Sequence, residues 1–284
     1  MRSHSQPRSA FTLIEMLVVT IIIGILISLV SVAVMSAITT SKVARLYFEA
    51  QQLTSAMQTM SLDSSTMPPT DLRMANATDF NAPIAKWFKR NYPRYDLATL
   101  KADLDAAGGA SVTPSVTTTT TPDPGFALVF WLVGFDPDAE RPLNGHAARM
   151  AGTDRKQWKY DFDIARLVNK RYLMPGAKVL FDDKNGNSLP DAGEKYRAYL
   201  YFDGTAYGTP FAGFSPYKTG TGANDYFFSP DSCQIICSGR DEILGSGAAP
   251  PGIKVPYAGF DADNVANFGE GGTMKDFIEK VNKL

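Results

Sequence analysis

The chain has 284 residues, 44% hydrophobic and 20% charged, with a formal net charge of −1. That is enough for one globular domain plus an appendage, with no basic footprint for nucleic acid. Two histidines, His4 and His146, and two cysteines, Cys233 and Cys237, leave few residues for a His-based catalytic triad or a Cys/His zinc site, so the composition argues against an enzyme.

The first ten residues, MRSHSQPRSA, carry Arg2 and Arg8 and no acid. The run Phe11 to Met35 that follows is apolar with one ionisable group, Glu15. At about 1.5 Å rise per residue, a run of that length covers a hydrocarbon core about 30 Å thick, which predicts a single transmembrane helix. The positive-inside rule leaves residues 1–10 cytoplasmic and sends the body of the chain, 63–284, outward. The apolar run is too long for an ordinary secretory signal and is preceded by the small pair Ser9-Ala10, so a cut is expected before the membrane segment, which makes 1–10 a leader.

A carboxylate in that segment is costly unless it has a partner. A cut between Ala10 and Phe11 creates a cationic α-amino group at the same depth. Glu15 cannot easily serve its own terminus and also cap the helix start, so the terminus of a neighbouring subunit is the better partner. Beyond the membrane half, 11–35, the positions Val43, Leu46, Ala50, Leu53, Met57 and Met60 form one apolar stripe, while Lys42, Arg45, Glu49, Gln51 and Gln52 hold the other face. The spacing predicts one helix from about Phe11 to Met60, amphipathic over 36–62 and barred from further extension by Pro68-Pro69.

Ala10-Phe11-Thr12-Leu13-Ile14-Glu15, followed by Met16-Leu17-Val18-Val19, resembles the processing site of type IV pilins and type II secretion pseudopilins. Ala10 departs from the family, which nearly always has Gly there. The resemblance implies that a prepilin peptidase cuts before Phe11 and methylates its new amino group, and that Glu15 pairs with the terminus of an adjacent subunit during assembly. It further implies a bacterial inner-membrane protein whose C-terminal head lies in the periplasm or in an extracellular filament. The partners would be copies of itself, other pilin-like subunits, the peptidase and the inner-membrane assembly platform.

In the head, Asp79 to Leu104 contains helix-compatible stretches separated by Pro93. The Thr/Pro-rich segment 108–125 reads as an exposed loop. Ala127 to Val133 is a buried element whose type periodicity cannot decide. Lys178–Phe181, Tyr196–Phe202 and Cys233–Cys237 read as strands, the second alternating Tyr196, Ala198, Leu200 and Phe202 against Arg197, Tyr199 and Tyr201. Thr273 to Leu284 reads as a capped amphipathic helix burying Met274, Phe277, Ile278 and Val281. The expected class is α+β: a long helix packed on a small antiparallel sheet with long loops, which is also what the pilin resemblance implies.

Two loops are candidate calcium sites. In the first, Asp183, Asn185, Asn187, the Leu189 carbonyl, Asp191 and Glu194 fall at the relative positions one, three, five, seven, nine and twelve by which an EF-hand-type loop wraps a hard cation. A metal-free Asn/Gly/Asp turn has much the same composition. The second rests on resemblance. Gln234-Ile235-Ile236 leading to Gly239-Arg240-Asp241, and Asp263 to Phe268, look like the C-terminal region of large proteins related to the major pseudopilin, where calcium organises a loop, so Asp241, Asp261 and Asp263 are the implied ligands. Either ion would be structural.

Cys233 and Cys237 would face an oxidising compartment, which invites a disulfide. Four strand steps separate their Cα atoms by roughly 13 Å, however, so a bridge requires the segment to bend; two buried thiols on one strand is the alternative. The paired acids Asp161/Asp163 and Asp241/Glu242 read as turn residues. Three functions compete: a pseudopilin of a type II secretion-like filament, a type IV pilin of a surface filament for adhesion, motility or DNA uptake, and a membrane-anchored enzyme or binding module. The C-terminal resemblance favours the first.

Overall fold

The computed structural model describes residues 12–108, 123–182, 194–204, 207, 211, 214–219, 226–245, 257 and 259–281. The chain divides into two compact units, Met1–Lys42 and Val43–Leu284.

Helix α1 spans Leu13–Ser64. In the first unit, every large apolar side chain of α1 from Leu13 to Ile38 is exposed. The helix is long and apolar enough to cross a membrane. Its few hydroxyls are satisfied locally: Thr20 donates to the Leu17 carbonyl, Ser28 to Ile25, Ser31 to Ile27 and Thr39 to Met35. Polar groups folded back onto the helix in this way need no partner from the lipid.

In the second unit the character of α1 changes as the spacing predicts. Val43, Leu46, Ala50, Leu53, Met57 and Met60 are its buried apolar residues, joined by Thr54 and Ser64, whose hydroxyls bond back to the Ala50 and Met60 carbonyls. The helix stops where Ser65 turns left-handed at φ 58°, just before Pro68-Pro69.

Among the described residues five shorter α-helices follow: α2 (Pro83–Asn91), α3 (Leu97–Gly108), α4 (Pro124–Leu132), α5 (His146–Met150) and α6 (Met274–Val281). The buried element of undecided type, Ala127 to Val133, falls largely within α4, all of whose residues are buried. Because α4 starts at Pro124, the loop read over 108–125 is corrected at its end, where Pro124 and Gly125 are buried helix, and its residues 109–122 lie outside the described ones. Asp123 starts it by accepting from the Phe126 N–H, as an N-cap should. A hairpin joins β1 (Leu167–Val168) to β2 (Arg171–Tyr172) through Asn169 and Lys170, both at positive φ, the backbone that a two-residue hairpin turn requires.

A second, antiparallel sheet runs in the order β3 (Leu200–Asp203), β4 (Cys233–Cys237), β5 (Val265–Ala266). The period of two sorts its side chains between two cores. Tyr199, Tyr201, Cys233, Ile235, Cys237 and Val265 join the α1 stripe and α4, whereas Leu200, Phe202, Ile236 and Ala266 join an aromatic cluster with Phe214, Tyr217 and α6. The sheet is covered on both faces. The result is a mixed helix and sheet chain with one long apolar N-terminal helix and small antiparallel sheets, compatible with the expected α+β class.

Two strand readings change. Lys178–Phe181 is not a strand: Leu180 is buried and its carbonyl accepts from the Arg197 N–H, but Val179 is 53% exposed, and pairing with the neighbouring segment goes no further than an isolated bridge from Phe181 to Tyr196. Tyr196–Phe202 is a regular strand only from Leu200, because its first residues are shared among other segments. Tyr196 N–H donates to Glu242, Arg197 to Leu180 and Tyr199 to Tyr172. The C-terminal helix is capped by reciprocal bonds between Thr273 and Asp276 and buries Met274, Phe277 and Ile278 as expected, while Val281 is only partly buried and residues 282–284 lie outside the described ones.

Candidate functional site

Ala10 and Phe11, the expected cut, lie outside the described residues, which begin with Thr12. Glu15 does not wait for a partner. Its Oε2 accepts from the Thr12 backbone N–H and from Thr12 Oγ1, both at 2.8 Å, and Thr12 Oγ1 accepts from the Glu15 N–H at 3.3 Å. This reciprocal arrangement is a capping box, with Thr12 as N-cap and Glu15 three residues on. Of the two local uses weighed for Glu15, its own terminus and the helix cap, the structure shows the cap. The signal was present in the sequence, since Thr-x-x-Glu ahead of an apolar run is the capping-box pattern. Both of these bonds use Oε2, and among the described residues Oε1 accepts none.

The strongest polar site in the head is one that the sequence reading placed on the solvated face. Glu49, on α1, turns inward with its side chain 12% exposed. Its Oε1 accepts from Arg166 Nη1 at 2.6 Å and Tyr172 Oη at 2.9 Å. Its Oε2 accepts from Arg166 Nη2 at 2.8 Å and Tyr199 Oη at 2.7 Å. Arg166 also lies over the Tyr172 ring at 4.2 Å. Burial alone would raise the Glu49 pKa, but the hydrogen bonds and charge of Arg166 with the Tyr199 and Tyr172 hydroxyls outweigh it, and the net shift is downward. This hub fastens α1 to the β1–β2 hairpin and to the segment leading into β3. No spacing in the sequence links residues 49, 166, 172 and 199, so the partnership was not legible. The only hint was that Glu49 sits beside Ala50, at the margin of the apolar stripe.

Of the first calcium loop, Asp183, Asn185, Asn187, Leu189 and Asp191 lie outside the described residues, while Glu194 is buried. The three acids implied for the second are mostly committed to the polypeptide. Asp263 Oδ2 accepts from the Arg240 and Asp241 N–H groups at 2.7 and 3.1 Å, Asp241 Oδ1 from Ile243 N–H at 2.8 Å, and Asp261 Oδ1 from Tyr217 Oη at 3.2 Å. Only Asp263 Oδ1 is buried there with no hydrogen-bond partner. Burial, and then the neighbouring Asp263 charge, raise the Asp241 pKa although the Ile243 bond opposes them. Among the described residues no group of three or more His, Cys, Asp or Glu side chains is arranged to hold a metal ion. Gly239 is required in this turn, since a Cβ there would lie 1.8 Å from the Asp263 carbonyl oxygen.

Cys233 and Cys237 are free, buried thiols at the two ends of β4. The candidate disulfide is thereby corrected: the segment stays extended and in register with β3, which keeps the two sulfurs too far apart. Burial pushes the Cys233 thiol up to about 12 and the Cys237 thiol higher still, so neither has thiolate character at neutral pH. Asp163 caps a short turn through Ala165 N–H, and Glu242 pairs with Lys195 and Arg197.

No family model matches this chain, and neither curated proteins nor solved structures include a significant match.

Proposed function

We propose that the chain is a structural subunit of a filament, a pseudopilin of a type II secretion-like system, cut between Ala10 and Phe11 and N-methylated by a prepilin peptidase. The observation that carries this reading is the start of α1. A membrane-length apolar helix, exposed over its whole first half, begins at a capped Thr12–Glu15 pair one residue beyond the pilin-like cut site. A plain anchor has no use for an acid at that depth. After the cut, Oε2 of Glu15 stays on its own helix cap and Oε1 accepts the methylated terminus of a neighbouring Phe11. Charge neutralisation then rewards assembly without uncapping the helix.

On this reading the apolar half sits in the bacterial inner membrane and the head lies in the periplasm, meeting copies of itself, other pilin-like subunits and the assembly platform. The test is Glu15→Ala. The variant is expected to be processed and membrane-inserted like the parent but to give no subunit–subunit cross-links; a variant that cross-links as well as the parent removes the assembly role. The calcium implied by the resemblance would be held around Asp241 and Asp263, where the orphaned Asp263 Oδ1 offers a ligand. Calcium, relative to a chelator, is then expected to raise Tm in the parent and not in Asp263→Asn. Equal behaviour of the two chains contradicts that part of the proposal.

A further inference from the structure

Helix α5 carries two buried polar side chains that the filament role does not use. Arg149 is 2% exposed, and its Nε and Nη2 have no hydrogen-bond partner. Among the described residues it forms no salt bridge. The two carboxylates that act on it through space, Asp154 and Asp136, are turned to the backbone N–H groups of Lys156 at 3.1 Å and Asp138 at 3.0 Å. One turn earlier, on the same face, His146 is also 2% exposed. Its Nδ1 lies 3.2 Å from the Gly134 carbonyl, an acceptor, so Nδ1 carries the proton. Its Nε2 is therefore a lone pair, and it too is buried without a partner. Burial first, and the Arg149 charge second, outweigh the ring's backbone hydrogen bonds to Gly134 and Phe130 and push His146 down to about 3, so the ring is neutral. Phe135 stacks on that ring at 5.5 Å and Phe130 meets its edge at 4.5 Å, fixing its orientation.

An enclosed guanidinium edge without acceptors is among the costliest arrangements in a protein interior. The two orphaned atoms are not an arbitrary pair. Nε–H and one Nη2–H bond run parallel along one side of the guanidinium, the fork that takes two oxygens of a carboxylate or phosphate side-on. The orphaned Nε2 adds the opposite demand, a donor. We infer that α5 holds a small oxyanion that also bears an O–H group, hydrogen phosphate being the simplest, with two oxygens on the Arg149 fork and its O–H donated to His146 Nε2. Because the orphaned atoms of the fork are buried, the ligand inferred is the free ion and not a lipid headgroup or a peptide carboxylate. The site is independent of the filament role and stands or falls apart from it.

The test is thermal unfolding of the full chain in detergent, with sodium phosphate, sodium sulfate or sodium chloride at matched ionic strength, for the parent and for Arg149→Lys, which keeps the charge and loses the fork. At ten times its dissociation constant the ion multiplies the folding equilibrium constant about elevenfold, a rise of roughly 3–6 °C in Tm for a domain of this size. Phosphate is expected to give that rise in the parent, sulfate a smaller one because it offers no O–H, and Arg149→Lys none. A parent that phosphate stabilises no more than chloride overturns the inference whether or not the variant folds. So does a rise that sulfate matches, or one that survives in Arg149→Lys.

Discussion

Replacing Glu49 with Gln keeps the shape of the side chain and removes the charge that faces Arg166. The two groups are 12% and 11% exposed, so Arg166 is left nearly buried with its counter-ion gone. Removing one member of a buried pair costs about 3–5 kcal/mol. The rim exposure places this pair at the lower end, while the new amide adds a donor where Tyr199, Tyr172 and Arg166 already donate and forfeits acceptor sites worth about 1 kcal/mol each. A loss of about 3–4 kcal/mol lowers the Tm of a domain of this size by roughly 6–15 °C.

The assay is thermal unfolding of the full-length chain in detergent, followed by circular dichroism. The lowered Glu49 pKa fixes the pH dependence. A depressed acid contributes its stability above the unfolded value, about 4.3 for glutamate, and loses it as the pH falls through the lower folded value. The gap between parent and Glu49→Gln should therefore be full at pH 7 and close on acidification below about pH 4. A variant that melts within about 2 °C of the parent at pH 7, or a gap that widens in acid, refutes the reasoning about this hub.

The cysteines give a further expectation. Buried thiols with raised pKa values should resist iodoacetamide in the native chain, and both Cys233 and Cys237 should take up the label after denaturation without a reductant; labelling of neither would show that they are bridged.

Much of the architecture was written in local patterns. The α1 stripe from Val43 to Met60 reads directly as a period near 3.6 with one buried face, and it is buried as spaced. The strand Cys233–Cys237 and the helix with Phe277 and Ile278 were equally legible, because each has a strong local propensity and clear turn signals at its ends. Ala127 to Val133 was not, because a helix enclosed on all sides has lost the alternation that tells helix from strand. Lys178–Phe181 has the composition of a strand but meets its neighbour at a single bridge, Phe181 to Tyr196, and pairing is a long-range property that composition does not carry.

The functional residues divide along the same line. Glu15 stood out as a lone acid in an apolar run, and its cap with Thr12 lies within a four-residue window open to a local reading. Glu49 looked like one more charge on a solvated helix face, and only the tertiary structure brings Arg166 and Tyr199, more than a hundred positions away, against it.

The claim that this is a processed filament subunit is tested most directly at its mature N-terminus, by mass spectrometry of the protein from its native membrane in strains with and without prepilin peptidase. The account predicts a chain beginning at N-methylated Phe11 in the first strain and one retaining Met1–Ala10 in the second. A chain retaining Met1–Ala10 in both would contradict it.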